Sequence, residues 1–265
     1  MSLASLDDFE QFLEQINFRS GFWGPHYLRY TETFKALLRA TELAGGRQRA
    51  LELGTSWVFA TYMKSREMMK EVDVTDFSAQ HMGRSRITRG NYPALDTAFT
   101  AFSLDLESDK LPVENDSYDL VVCCELLEHL DVDPMFMMCE INRCLKKDGV
   151  LLLTTPNSIS SQIVKRILHG YSPQFYIYYQ KDRRPFRHNF EYAPHQLRQL
   201  LECSGLEIIN LWTANTFAEA DSEALEFLEK SGFPTADRGD NLFAICRKSG
   251  PIVDRYPNQI YDTHF

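Results

Sequence analysis

The sequence predicts a doubly wound α/β domain on a mostly parallel, seven-stranded sheet, with helices ahead of it and an insertion after the fifth strand. Three observations carry this expectation. Short apolar runs with β-branched content alternate with helical spans through most of the chain. YDLVVCC, residues 118 to 124, is apolar almost throughout, as a strand covered on both faces requires. Residues 118 to 157 read as strand, loop, helix, tight turn and strand in direct succession, with Glu128 and His129 where the first of these strands ends. In an open parallel sheet that edge is where ligands sit.

The elements follow in order. Residues 5 to 18 form an amphipathic helix in which Leu6, Phe9, Phe12 or Leu13, and Ile16 share a face, and Ser5 with Asp8 resembles a capping box. Gly21, Gly24 and Pro25 break it, and a second helix runs from about Tyr30 to Leu43, closed by Gly45 and Gly46. Strands are expected at Ala50 to Leu53, Glu71 to Val74, Ala98 to Leu104, Tyr118 to Cys124, Val150 to Thr155, Glu207 to Trp212 and Leu242 to Cys246. Asp133 is a good N-cap and Pro134 a good first helical residue, while Gly149 is placed to supply a left-handed stop after Lys146 and Lys147. Further helices open at Pro194, ending at Gly205, and at Glu223, ending at Gly232.

Composition excludes several classes. A chain of 265 residues with 44% apolar content can bury one large core. Its 28 basic and 37 acidic residues give a net charge of −9, which argues against nucleic acid as the main partner. No apolar run approaches the roughly 20 residues a bilayer span needs. The first residues, MSLASLDDFEQ, are acidic where a secretion signal would be basic and then apolar, so a cytoplasmic protein is expected. Six cysteines without a Cys-x-x-Cys pair read as reduced core residues.

The residues with chemical potential cluster at strand ends. Leu51, Glu52, Leu53, Gly54 place an acid two positions before a glycine where the first strand turns. Asp76 closes the next strand, 22 positions after Gly54, and Asp105 follows the third. With YDLVVCCELLEHL, INRCLKKDGVLLLTTPN and the closing RGDNLFAICRK, this series resembles the class I S-adenosylmethionine-dependent methyltransferases over about residues 48 to 248. The resemblance implies a Rossmann-like methyltransferase fold with an antiparallel last strand and S-adenosyl-L-methionine as cofactor. It implies that Gly54 lets the backbone approach the methionine part, that Asp76 holds both ribose hydroxyls, and that Asp105 receives the adenine amino group. Glu52, Thr55, Ser56, Phe77, Leu106, Glu125 and Leu126 complete the implied cofactor set. The family's Gly-x-Gly-x-Gly loop here reads Gly54, Thr55, Ser56, Trp57, Val58, and Val58 does not readily take a positive φ.

On this reading residues 1–47 are a helical segment that helps form the acceptor site, 48–248 the methyltransferase domain with an insertion at 158–191, and 249–265 a tail. Methyl transfer to a hydroxyl needs alignment and removal of a proton. His129 and His188 are the candidate bases, each of which could instead be structural. The insertion carries Lys181, Arg183, Arg184 and Arg187 behind a run of tyrosines that includes Tyr178. Tyr178, Arg183, Arg184, Arg187 and His188 form an expected substrate wall suited to an anionic or glycosylated acceptor. RHNFEY and the closing segment also resemble methyltransferases of cell-surface polysaccharide building. Glu128, His129, Asp131 and Asp133 crowd together, but Asp133 is better explained as an N-cap, so no metal is expected. Two alternatives stay open. A nicotinamide-dependent oxidoreductase would share the glycine turn and ribose acid but needs a Gly-x-Gly-x-x-Gly loop that is missing. A binding subunit could keep the fold without turnover.

Overall fold

A computed structural model describes residues 4–16, 18, 21–76, 86–92, 97–173 and 187–261. Phe77, Tyr178, Arg183 and Arg184 lie outside the described residues. The chain opens with helix α1 (Leu6–Gln15) and, after a 3-10 segment, α2 (Tyr27–Leu43). Ser5 Oγ accepts from Asp8 N, so the expected cap is in place, and both Phe12 and Leu13 are buried with Phe9. Strand β1 (Arg49–Leu53), helix α3 (Val58–Ser65) and strand β2 (Glu71–Asp76) follow, then β3 (Arg86–Tyr92), β4 (Thr97–Ser103) and β5 (Tyr118–Cys124). Helix α4 (Pro134–Cys144) leads into β6 (Leu145–Pro156), α5 (Ser161–Leu168), α6 (Pro194–Cys203), β7 (Leu206–Ala214), α7 (Ser222–Lys230) and β8 (Asn241–Lys248).

All described strands join one sheet in the order β3-β4-β2-β1-β5-β6-β8-β7. The neighbours β4, β2, β1, β5 and β6 pair in parallel, and β8 runs antiparallel between β6 and β7. The seven expected strands are present. An eighth, β3, adds antiparallel to the outer edge of β4. Its sequence, RITRGNY, shows no apolar alternation, because an edge strand can form on backbone pairing alone.

Period-two alternation sends each strand's side chains into two cores. Ala50, Val72, Val74, Leu120, Val122, Val150 and Leu152 face α1, α2 and α3, whereas Leu51, Leu53, Val121, Cys123, Leu151 and Leu153 face α4 and α6. The first core is rich in rings: Phe9 stacks on Phe34 at 4.1 Å between centroids and meets Tyr62 edge-on at 5.0 Å. The Tyr62 hydroxyl and Arg66 both donate to Asp8, which ties α1 to α3. All six cysteines are free.

One cap differs from expectation. Helix α4 starts as anticipated, with Asp133 accepting from Phe136 N and Pro134 in the first turn, but it ends at Cys144, before the two lysines. Lys146 and Lys147 lie in a bulged start of β6, and the left-handed residue is Asp148 (φ 62), not Gly149. Gly149 is there for space, since a Cβ on it would lie 2.9 Å from Lys146 O and 3.1 Å from Tyr118 O.

Candidate active site

Strand order reverses between β1 and β5: the chain travels outward from β1 to β2 and β4, then returns to the far side of β1. Crevices at such a reversal, outside the carboxyl ends of the strands, are where doubly wound sheets bind ligands. Two loops flank this one, Gly54 to Trp57 after β1 and Glu125 to Leu130 after β5. They touch closely, because a Cβ on Gly54 would stand 2.8 Å from Leu126 Cδ1, and Gly54 itself sits at φ 60. Gly54 N donates to Thr75 Oγ1 and Thr55 N to Thr75 O, which seats the loop on β2.

The degenerate glycine loop finds its second left-handed position at Trp57 (φ 70), one residue before the expected obstacle. Val58 begins α3 with helical geometry and needs no positive φ. Trp57 N donates to Thr55 Oγ1, and the Trp57 ring lies 5.8 Å from Phe99. These contacts offset the cost of a bulky left-handed residue, about 1–2 kcal/mol.

Glu52 points into the protein. It is buried, its Oε2 accepts from Ala60 N at 2.7 Å, and Thr55 and Ser56 also donate to it. Burial pushes its carboxyl up to about 7 against the pull of those hydrogen bonds. The acid of the opening motif therefore organises the loop and the start of α3. The Ser56 hydroxyl meets that of Tyr30. Asp76 stands exposed at the tip of β2, and Asp105 two residues beyond β4, where Oδ1 accepts from Glu107 N. Leu106, next in the chain to Asp105, is buried in the second core. All three acids thus lie at or just beyond the carboxyl ends of neighbouring parallel strands.

On the other side of the crevice, Glu125 takes a left-handed conformation (φ 52), and three groups hold its carboxylate. Arg29 donates at 2.9 Å, Thr154 and Asn241 at 2.8 Å each. Arg29 comes from α2, so the front of the chain reaches the site, and its guanidinium also lies 5.3 Å from the Phe217 ring. Neither Arg29 nor Asn241 carries a signal in the sequence, because their partners are remote in the chain.

The two candidate bases meet. Leu127–His129 forms a 3-10 turn, and the end of the insertion lies against it: Asn189 N and Phe190 N donate to Glu128 O, and Asn189 Nδ2 donates to His129 O. This brings the His129 and His188 rings edge-on at 5.0 Å. His129 Nδ1 is 3.0 Å from Arg187 O, and His188 Nδ1 is 2.8 Å from Glu191 Oε1. The Arg187 carbonyl can only accept, so His129 donates to it from Nδ1, while His188 turns its Nδ1 to the Glu191 carboxylate. Burial holds His129 below its ordinary pKa, against the pull of the Arg187 carbonyl. Glu128 is buried, its Oε2 accepts from Thr155 Oγ1, and burial followed by the charge of Glu125 pushes its carboxyl well up. Arg187 is exposed beside this cluster.

Of Glu128, His129, Asp131 and Asp133, the first two lie together and the two aspartates stand apart from them in role. Asp133 caps α4 and is bound by Arg255 and the Tyr261 hydroxyl, and Asp131 is exposed. Glu107, which sequence reasoning missed, accepts from the backbone N–H of Asp131, Val132 and Asp133 and so holds that loop.

A reversal-point crevice, a glycine turn backed by a second loop, acids at successive strand tips and a pair of imidazoles define a group-transfer enzyme on a doubly wound sheet. Residues 26–211 match the family described as Methyltransferase domain. The chain belongs to that family, and its cofactor is S-adenosylmethionine. No curated protein matches the sequence. Among solved structures, a SAM-dependent methyltransferase from Archaeoglobus fulgidus shares 15% identity, covers 90% of this chain and 99% of its own, and superposes with a TM-score of 0.54. An S-adenosylmethionine-dependent methyltransferase from Mesorhizobium loti shares 17% identity over 81% of this chain and 97% of its own, with a TM-score of 0.50. At such identities the likeness is one of fold. The family assignment displaces the nicotinamide alternative. The donor set suits the cofactor, since a carboxylate, Asp76, stands exposed at the tip of the strand next to the Gly54 turn, which packs against Leu126.

Proposed function

We propose that this methyltransferase modifies a hydroxyl oxygen of a small molecule or glycan, an anionic sugar best fitting the arginines and tyrosines of the insertion. When bound, S-adenosylmethionine supplies an already activated methyl electrophile. The protein's share is then to align the acceptor, exclude water and accept a proton. Gly54, Asp76 and Asp105, with Thr55, Ser56, Leu106 and Leu126 around them, are the groups we assign to holding the cofactor. Glu52 and Glu125 act one step back, by fixing the two loops that line the crevice.

One observation carries the choice of oxygen. Two imidazoles from different parts of the chain meet at the end of β5, each with Nδ1 tied to a carbonyl or carboxylate oxygen. An amine acceptor that is neutral needs no such base before attack, whereas a hydroxyl gains from one. The substrate preference rests on Arg187 beside His129 and on the cationic, tyrosine-rich sequence that precedes it.

Purified protein should form S-adenosylhomocysteine with some members of a panel of sugars, nucleotide sugars and small hydroxy acids. His129→Ala and His188→Ala should each lower kcat by about 10²–10⁴, the usual worth of a positioned base, while calorimetric binding of S-adenosylmethionine stays unchanged. A productive acceptor whose turnover survives both substitutions removes the hydroxyl reading. A folded protein that does not bind S-adenosylmethionine at all would favour a subunit without turnover.

A further inference from the structure

We propose that Glu128, His129 and His188 form a binding site for a first-row divalent cation, of the zinc, manganese or iron(II) type, with positions left for an acceptor oxygen. One potential ligand atom from each of the three lies within 4.8 Å of the others, and His129 Nε2 is 3.9 Å from Glu128 Oε1. That separation is too long for a hydrogen bond. A cation 2.0–2.1 Å from each atom would draw them to about 3.0–3.4 Å, a closure of about 0.5–0.9 Å for the His129–Glu128 pair and of at most about 1.4–1.8 Å for any other.

The surroundings are those a ligand set needs. A ligating histidine usually donates its other ring N–H to a carboxylate or backbone carbonyl, which fixes tautomer and ring plane. Both histidines do so, His188 to the nearly buried Glu191 carboxylate and His129 to Arg187 O. Thr155 holds one Glu128 oxygen at 2.8 Å, leaving Oε1 on the side of His129. Asn189 and Phe190 clamp the backbone between the two histidines, so the segments that carry the ligands are fixed together. Two imidazoles and one carboxylate select transition metals over magnesium or calcium, which prefer sets made of oxygen alone.

Its chemistry deepens the hydroxyl-acceptor reading and rests on it. With the imidazole lone pairs committed to the cation, the acceptor hydroxyl is made acidic in place of the imidazole acting as base. The hydroxyl proton passes to solvent, the new C–O bond forms as the S–C bond breaks, and S-adenosylhomocysteine leaves. Glu191 is then a positioning residue that acts through His188.

The test is binding, on the full chain stripped with chelator. Calorimetry and equilibrium dialysis with zinc and manganese salts should give one equivalent per chain. His188→Ala and His129→Ala should abolish this stoichiometric binding, and Glu191→Gln should weaken it about 10- to 100-fold, the usual effect of losing such a partner. Circular dichroism and S-adenosylmethionine binding, measured on the same samples, should be unchanged. Wild-type protein that binds S-adenosylmethionine but neither cation overturns the cation site and leaves the methyltransferase reading intact. Cation binding that survives both histidine substitutions places any site elsewhere and overturns the proposal equally. Cation binding as expected, with no hydroxyl acceptor turned over, supports the site and sinks the acceptor reading alone.

Discussion

Glu52→Gln tests whether the first motif acid is protonated inside the fold. The native carboxyl is raised to about 7 by burial, against an ordinary glutamate value of 4.5. That difference corresponds to about 3.5 kcal/mol at roughly 1.4 kcal/mol per pH unit. The sign follows from proton counting. Between pH 4.5 and 7 the unfolded chain loses the proton while the folded chain keeps it, so the native state binds more protons and stability falls as pH rises. This contribution is fully present below pH 4.5 and gone above about 7. Glutamine cannot titrate, yet its carbonyl can still accept from Ala60 N. Urea unfolding at several pH values should show wild type losing about 2 kcal/mol relative to the variant between pH 5.5 and 8, with m-values unchanged. Parallel stability curves for the two proteins would refute the reasoning and mean that Glu52 ionises normally within its loop.

Gly54→Ala forces a left-handed alanine, at about 1–2 kcal/mol, and drives Leu126 Cδ1 from a 2.8 Å contact. Thermal unfolding should shift modestly while calorimetric affinity for S-adenosylmethionine drops at least tenfold. Adding Leu126→Ala should recover only part of it, since the backbone strain remains. Phe9→Ala empties a fully buried ring position that stacks on Phe34 and meets Tyr62. It should cost about 3–5 kcal/mol in chemical denaturation, and a loss below 1 kcal/mol would show that α1 adds little to the core.

Much of the fold was legible because its signals are local. Apolar runs covered on both faces marked the central strands, and Asp133 with Pro134 marked the start of α4. Strand β3 was not legible, since an edge strand with one neighbour needs no apolar face. The stop after α4 was misread for a similar reason. Gly149 looked like a left-handed residue, but its need for a small side chain comes from the bulge that brings Lys146 O, and Tyr118 O on the neighbouring strand, against it.

The candidate site divides the same way. The order of segments, through its resemblance to methyltransferases, marked Gly54 and the acids at the strand tips, and residue type with position marked the two histidines, because a motif's chemistry depends on what stands at the end of each strand. Tertiary contacts decided the roles. Glu52 turned inward to the start of α3, Glu125 was taken up by Arg29 and Asn241, and the rival histidines became neighbours once Asn189 and Phe190 bonded to Glu128 O. Hydrogen bonds between segments remote in the chain leave no periodicity to read. They exist only after the sheet has set the distances.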